Sequence, residues 1–218
     1  MSKSSIGRKV LMALSGFFLL FFLLQHMSIN LISVFSEEGF NAASHFMGYN
    51  PVVQFVLQPI LAFGVIFHLA MGIYLEIQNS KARTTKYKDY RGAENATWMS
   101  RNMIITGLTI LAFLLLHFFD FWFHELAEKY VHFAPEDPTR YYGELQAKFT
   151  ELWRVIAYSV CFVLLALHLL HGFQSAFQSV GFRHNKYTPV IKKLGNIYGI
   201  AVPAVYIFIA VYHYVVQL

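Results

Sequence analysis

A single cysteine, Cys161, stands among the 218 residues. That rules out an internal disulfide framework and a cluster held on thiolates of this chain. It lies in an apolar run, where it reads as a small buried hydrophobe. Charge is scarce too: Asp, Glu, Lys and Arg make up 13% of the chain, roughly half the share of about 25% usual for a soluble domain. The few basic residues outnumber the acidic ones, 17 to 12. They sit in short segments between apolar runs rather than along one face, so the excess reads as membrane topology and not as a nucleic-acid surface. No internal repeat or low-complexity tract is evident. Residues 1–218 leave no room for a second domain beside the apolar runs, and the chain is read as one unit.

What is abundant is apolar and aromatic: 56% hydrophobic residues, with 22 Phe and 13 Tyr. Such a load suits a bilayer lining or packing around a flat apolar cofactor. A hydrocarbon core roughly 30 Å thick needs about 20 apolar residues of helix. Five stretches qualify, Val10–Phe35, Val52–Ile77, Met103–Phe123, Leu152–Phe177 and Ile197–Leu218. Pro59 and Pro203 fall inside two of them, which membrane helices tolerate where neighbours satisfy the freed carbonyls. Met1–Lys9 is short and basic, but the run that follows is too long for a signal-peptide core and shows no small-residue cleavage site, so it reads as the first span. The expected fold is an all-α membrane protein, a bundle of five transmembrane helices. A short interfacial helix is expected around Tyr141–Phe149, and partial helix over Glu37–Asn50.

Orientation follows from Lys and Arg. One side collects thirteen, at Lys3, Arg8 and Lys9, at six positions from Lys81 to Arg101, and at Arg183, Lys186, Lys192 and Lys193. The other holds Lys129, Arg140, Lys148 and Arg154 among eight carboxylates. The positive-inside rule then puts the N-terminus in the cytoplasm and the C-terminus outside.

Ionisable side chains inside spans are costly and mark a cavity, a partner or a ligand. Each of the first four spans carries a histidine, and depth sorts them. His26 and His117 lie sixteen and fourteen residues from the cytoplasmic ends of spans one and three, roughly 21–24 Å along a helix. Near the cytoplasmic ends of spans two and four, His68 lies eight residues before Glu76 and His168 ten before Gln178, roughly 12–15 Å. They form an outer pair, His26 with His117, and an inner pair, His68 with His168, each drawn from two helices. Two imidazoles on facing helices are what the iron of a six-coordinate b-type haem requires, and bundle cores hold such cofactors. Two haems b are therefore expected. With both axial positions taken, electron transfer is favoured over oxygen chemistry. Structural zinc sites usually include cysteine or ligands close in sequence, and neither occurs.

Gly64-x3-His68-x3-Gly72 puts a glycine one turn to either side of a candidate ligand, and His168-x3-Gly172 repeats half of this. Two readings stand: close approach of a porphyrin edge, or small residues at a helix–helix contact. His171 competes with His168 one turn away and lacks the glycine spacing. His213 has no matched partner, while His45, His132 and His184 lie in connections and read as solvated or interfacial. Asp120 and His124, near the outer end of span three, suit proton exchange with a quinone; Asp120 equally suits pairing with a neighbouring helix.

Gln25-His26-x3-Asn30, followed by Phe40-Asn41-x-Ala43-x-His45-Phe46-Met47, resembles the start of the cytochrome b subunit of succinate dehydrogenase. The resemblance is to the branch with five helices, two haems and a single membrane chain, related to a class of fumarate reductases. His68-x3-Gly72 and His168-x3-Gly172-x2-Ser175, with Gly181 further on, resemble its second and fourth spans. It implies a multi-pass subunit of the bacterial cytoplasmic membrane, with haem ligands at His26, His68, His117 and His168. It further implies two partners on the cytoplasmic side, an FAD-containing flavoprotein and an iron–sulfur subunit, and a quinone, commonly menaquinone, handled near the outer side. The basic inner segments suit docking of those partners and suit topology alone equally well. Some fumarate-reducing relatives carry a Glu for proton transfer two residues before the fourth-span ligand; here Ala166 stands there, which favours succinate oxidation. Other readings are a quinol:fumarate reductase subunit, the di-haem cytochrome b of a hydrogenase or formate dehydrogenase, and a transporter with histidines along a proton path, which would hold no haem.

Overall fold

The structure, a computed structural model, describes residues 4–82 and 102–218. Five helices are long and apolar enough to cross a membrane, and the described residues include no strand. Six of the thirteen basic residues, Lys3, Arg83, Lys86, Lys88, Arg91 and Arg101, lie outside the described residues.

Helix α1 (Ser5–Phe35) turns into α2 (Glu37–Tyr49) on one residue, Ser36. Its extended backbone ends α1 by donating its N–H to Ile32 O, and its hydroxyl accepts from Gly39 N at 2.9 Å. Glu37 and Glu38 then sit in the first turn of α2, where carboxylates complement the helix dipole. Asn50 does similar work at the next junction. Its side-chain oxygen accepts from Val52 N and Val53 N, and Pro51 opens the following helix, where its missing N–H costs nothing.

That helix begins with a wide π-helical turn, Val53–Leu57, and continues as α3 (Gln58–Ala82). Helix α4 (Met103–His117) runs into a second π-helical turn, Phe118–Trp122, and on into α5 (Phe123–Tyr130). After α6 (Arg140–Lys148) come the last two long helices, α7 (Leu152–Ser179) and α8 (Thr188–Val215). Helix α7 stops at Gly181, whose φ of +91° suits glycine. Gly181 N bonds Gln178 O and Phe182 N bonds Phe177 O, the paired bonds of a Schellman cap.

Two helices overrun the expected spans. The third continues past Phe123 to Tyr130, and the fifth starts at Thr188, not Ile197. In both cases the added turns are polar on one side, with Glu125 and Lys129 in one and Lys192 and Lys193 in the other. Hydropathy marks where the bilayer ends, and hydrogen bonding lets the helix continue beyond it.

Helices α1, α3, α4 and α7 pack as a ring, and α8 lies along α7 and α1. The N-terminus shares a face with the end of α3, where Arg8 donates to the Tyr74 hydroxyl at 2.6 Å. We call this the N-side of the bundle; α2, α5, α6 and the C-terminus form the C-side. The α7–α8 seam is close because α8 presents Gly195, Gly199, Pro203 and Ala210, all buried, toward α7. A Cβ at Gly199 would stand 3.1 Å from Leu170 N and 3.2 Å from its side chain. Backbone cannot yield as a side-chain tip can, so Gly199→Ile is expected to destabilise the folded chain by about 1–3 kcal/mol, the usual cost of overpacking. Thermal unfolding in detergent measures this; an unchanged midpoint would mean that the seam opens freely.

The C-side is tied shut by charge. Glu125 on α5 pairs with Lys129 at 2.6 Å and with Arg140 on α6, and Arg140 also holds Glu144. Lys129 donates to Gly48 O at the end of α2. Burial alone would favour a neutral Arg140, but its bonds to Glu144 and Glu125 outweigh that and hold it above the usual arginine range. Tyr142 N donates to Asn41 on α2 at 2.8 Å, and Phe40, Leu145 and Phe149 join α7 and α8 in the apolar core.

Candidate site: two histidine pairs in the bundle

The ring of four helices brings His26 of α1 and His117 of α4 together, their ring centroids 5.7 Å apart and nearly edge-to-face at 85°. Each imidazole is stacked by the phenylalanine one turn earlier in its own helix, Phe22 on His26 at 5.4 Å and Phe113 on His117 at 5.8 Å. His117 is also in ring contact with Phe121 and Tyr158, and His26 with Tyr206. The Nδ1 of His117 is buried with no hydrogen-bond partner among the described residues. Helix α4 gives way to a π-helical turn directly after His117, a local widening that recurs at functional sites.

Deeper toward the N-side lie His68 of α3, beside Gly16 of α1, and His168 of α7, beside Gly107 of α4. Each meets a hydroxyl from the next helix. Ser15 Oγ on α1 is 3.0 Å from His68 Nδ1, and Thr106 Oγ1 on α4 is 3.2 Å from His168 Nδ1. Those hydroxyls also reach the carbonyl three residues back, Met12 O at 2.8 Å and Met103 O at 3.0 Å. A hydroxyl has one proton to give. Spent on the carbonyl, it leaves the oxygen to accept from Nδ1–H, so the lone pair of each imidazole falls on Nε2. That is the protonation state a metal-bound histidine takes.

The two halves of the ring match. Met12-x2-Ser15-Gly16-x9-His26 on α1 is followed, in α4, by Met103-x2-Thr106-Gly107-x9-His117. In each, the hydroxyl serves the N-side histidine of a neighbouring helix and the histidine joins the C-side pair. A Cβ on Gly16 would lie 3.8 Å from His68 Cε1, and one on Gly107 would lie 3.7 Å from His168 Cε1. The same correspondence covers the flanking glycines, where a Cβ on Gly72 would lie 3.6 Å from the Met12 methyl and one on Gly172 would lie 3.9 Å from the Met103 methyl. No repeat is evident along the sequence because only these few positions recur; the fold makes them equivalent. Eleven residues separate each hydroxyl from the histidine of its own helix, so the two layers stand roughly 16 Å apart.

No family model, curated protein or solved structure matches this chain. The site's chemistry therefore rests on its own geometry. Four imidazoles in two layers, two of them with Nδ1 against a hydroxyl and Nε2 left for a ligand, fit the axial demands of two haem irons. Gly64 is less open than its spacing suggests: a Cβ there would meet the Phe18 ring at 2.6 Å, so that face of α3 packs on α1.

The remaining polar residues sort by contact. Asp120, in the π-helical turn and fully buried, accepts from the Tyr158 hydroxyl at 2.9 Å and pairs with Arg154 at 3.2 Å. His124 stands 3.7 Å from Glu144 with its side chain 39% exposed, and His45 meets Glu136 at 2.8 Å. His213 is fully buried, its Nε2 on Ser33 Oγ at 2.8 Å, while Ser33 donates to Asn30 O. His213 thus meets the helix that carries His26 through a serine and not through a second histidine. Thr106 and Ser15 were not legible as site residues. Their only signal is the Met-x2-(Ser/Thr)-Gly-x9-His pattern occurring twice.

Proposed function

We propose that the chain is the membrane-anchoring electron-transfer subunit of a succinate:quinone oxidoreductase, with two b-type haems held by His26 with His117 and by His68 with His168. The observation that carries the haem assignment is the duplicated hydroxyl–imidazole unit, in which α1 and α4 each supply one C-side histidine and the hydroxyl that meets an N-side histidine of α3 or α7. A haem b with both axial positions filled supplies one-electron transfer and no open iron coordination site. The protein's part is to hold, orient and shield. Ser15 and Thr106 keep Nε2 of the N-side histidines unprotonated. Phe22, Phe113 and Phe121 cover the C-side imidazoles and keep water from them.

The choice of succinate as the electron source rests on the residues around His26, Asn30 and Phe40–Met47, and on Ala166 in place of a proton-carrying acid. On this reading the N-side faces the cytoplasm of a bacterium, where a flavoprotein with FAD and an iron–sulfur subunit dock. A quinone, menaquinone by the same resemblance, is handled toward the C-side, where His124 and Asp120 lie. Fumarate reduction uses the same parts in the opposite direction.

The test is optical. The complex, purified from native membranes, is expected to contain two haems b per copy of this chain by pyridine haemochrome. Their absorbance should become that of the reduced form on adding succinate, and malonate should block the change. A folded complex without haem would overturn the electron-transfer reading in favour of a transporter. Haem that succinate leaves oxidised, in a complex with a hydrogenase or formate dehydrogenase partner, would overturn the assignment to succinate.

A further inference from the structure

Hydroxyl groups are the cheapest polar partners to bury in a membrane helix, because they carry no charge and return their proton to their own backbone. Ser15 is 9% exposed and Thr106 is 1% exposed, so neither is there to meet solvent. Each has its proton committed to a carbonyl three residues back and its oxygen against an imidazole Nδ1 of a different helix. The two arrangements were built separately, 91 residues apart in the chain, yet agree in partner atom, in the preceding methionine and in the following glycine. Against them, the C-side pair shows no such acceptor among the described residues: His117 Nδ1 has no hydrogen-bond partner there, and the Asn30 amide lies 3.5 Å from His26 Nε2.

We infer that Ser15 and Thr106 are positioning residues that set the electronic character of the N-side haem alone, by accepting a proton-sharing bond from its two axial histidines. This rests on the haem reading above. A hydrogen bond accepted from Nδ1–H fixes the tautomer and ring orientation and makes the imidazole a stronger donor through Nε2. A stronger donor favours ferric over ferrous iron. Without the hydroxyl the ring is free to place its proton on Nε2, which cannot then ligate, and the donor strength falls. Each substitution therefore moves the N-side haem in one direction, toward easier reduction, or empties it, while the C-side haem keeps its wild-type properties. His171, one turn from His168, has no hydroxyl partner of this kind in the described contacts, which also distinguishes His168 as the ligand on α7.

The experiment is a redox titration of the haem-containing complex, followed optically and by electron paramagnetic resonance, on wild type, Ser15→Ala, Thr106→Val and Thr106→Ser. Val matches Thr in shape and lacks only the hydroxyl, so packing is held nearly constant; Ser keeps the hydroxyl and drops the methyl. The expected result is an upward midpoint shift, or lost occupancy, of one and the same haem in Ser15→Ala and Thr106→Val, with Thr106→Ser close to wild type. Two unshifted haems in Thr106→Val would overturn the inference while leaving two-haem binding intact. So would a shift confined to the other haem, or equal damage in Thr106→Ser, which would make size the cause. A wild-type complex without haem would remove the functional reading itself.

Discussion

Alanine at His26 or at His117 should leave one haem b per chain in place of two, and alanine at His68 or at His168 should remove the other one. The expected effect is half of the haem content, with the surviving centre identical in spectrum within each pair and different between pairs. The basis is the geometry of the ring: His26 and His117 face each other at 5.7 Å between centroids, while His68 and His168 are each tied to a hydroxyl of the neighbouring helix at 3.0 and 3.2 Å. A six-coordinate iron that loses one axial imidazole keeps only half of its protein bonds. His171→Ala and His213→Ala act as internal controls and should retain both haems. For His213 the cost should appear as lower stability, since its removal takes one of two bonds from the buried Ser33 hydroxyl, which keeps only Asn30 O, and empties a fully buried site. Pyridine haemochrome with protein quantification reads all six variants. Loss of both haems from each single variant would mean that the pairs are not independent. Loss from His171→Ala and not from His168→Ala would move the fourth ligand by one turn.

Much of this layout is legible from sequence alone, because the bilayer imposes a ruler. Span ends are marked by charge, helix rise is fixed, and counting from the ends places His26 level with His117. What counting cannot supply is rotation about each helix axis. Ser15 and Thr106 look like the small residues that ordinarily line membrane helix contacts, and only rotation shows that their oxygens meet imidazole nitrogen. Asp120 reads as a partner for a neighbouring helix and is one, but the π-helical turn at Phe118–Trp122 hides which residues it meets. Its i+5 bonding shifts the face that follows His117, so a regular 3.6-residue period misplaces Asp120 relative to Arg154 and Tyr158. The reach of α5 beyond the apolar run was equally hidden, being held by Glu125, Lys129 and Arg140 and not by hydropathy.

The same rotation makes Arg154→Ala the most damaging single change expected outside the histidines. Asp120 is fully buried, and among the described residues the cation it pairs with is Arg154, at 3.2 Å. Stripped of it, the carboxylate keeps the Tyr158 hydroxyl at 2.9 Å and nothing to balance its charge at the end of a membrane span. Removing one member of a buried pair typically costs about 3–5 kcal/mol, most of it the penalty on the charge left behind. The reverse change should be milder. Arg154 is partly exposed, stacks on Trp153 and holds Glu151 at 3.0 Å, so in Asp120→Asn the guanidinium retains a partner and reaches toward the interface. Asp120→Asn is accordingly expected to cost less than half as much as Arg154→Ala. In the double variant Asp120→Asn/Arg154→Ala no unpaired charge remains buried, and it should recover much of the loss, with a coupling of about 1–3 kcal/mol. Unfolding in detergent across this cycle measures each value. Equal losses from the two single variants, adding in the double, would show that Asp120 is stabilised by its surroundings at large and not by Arg154.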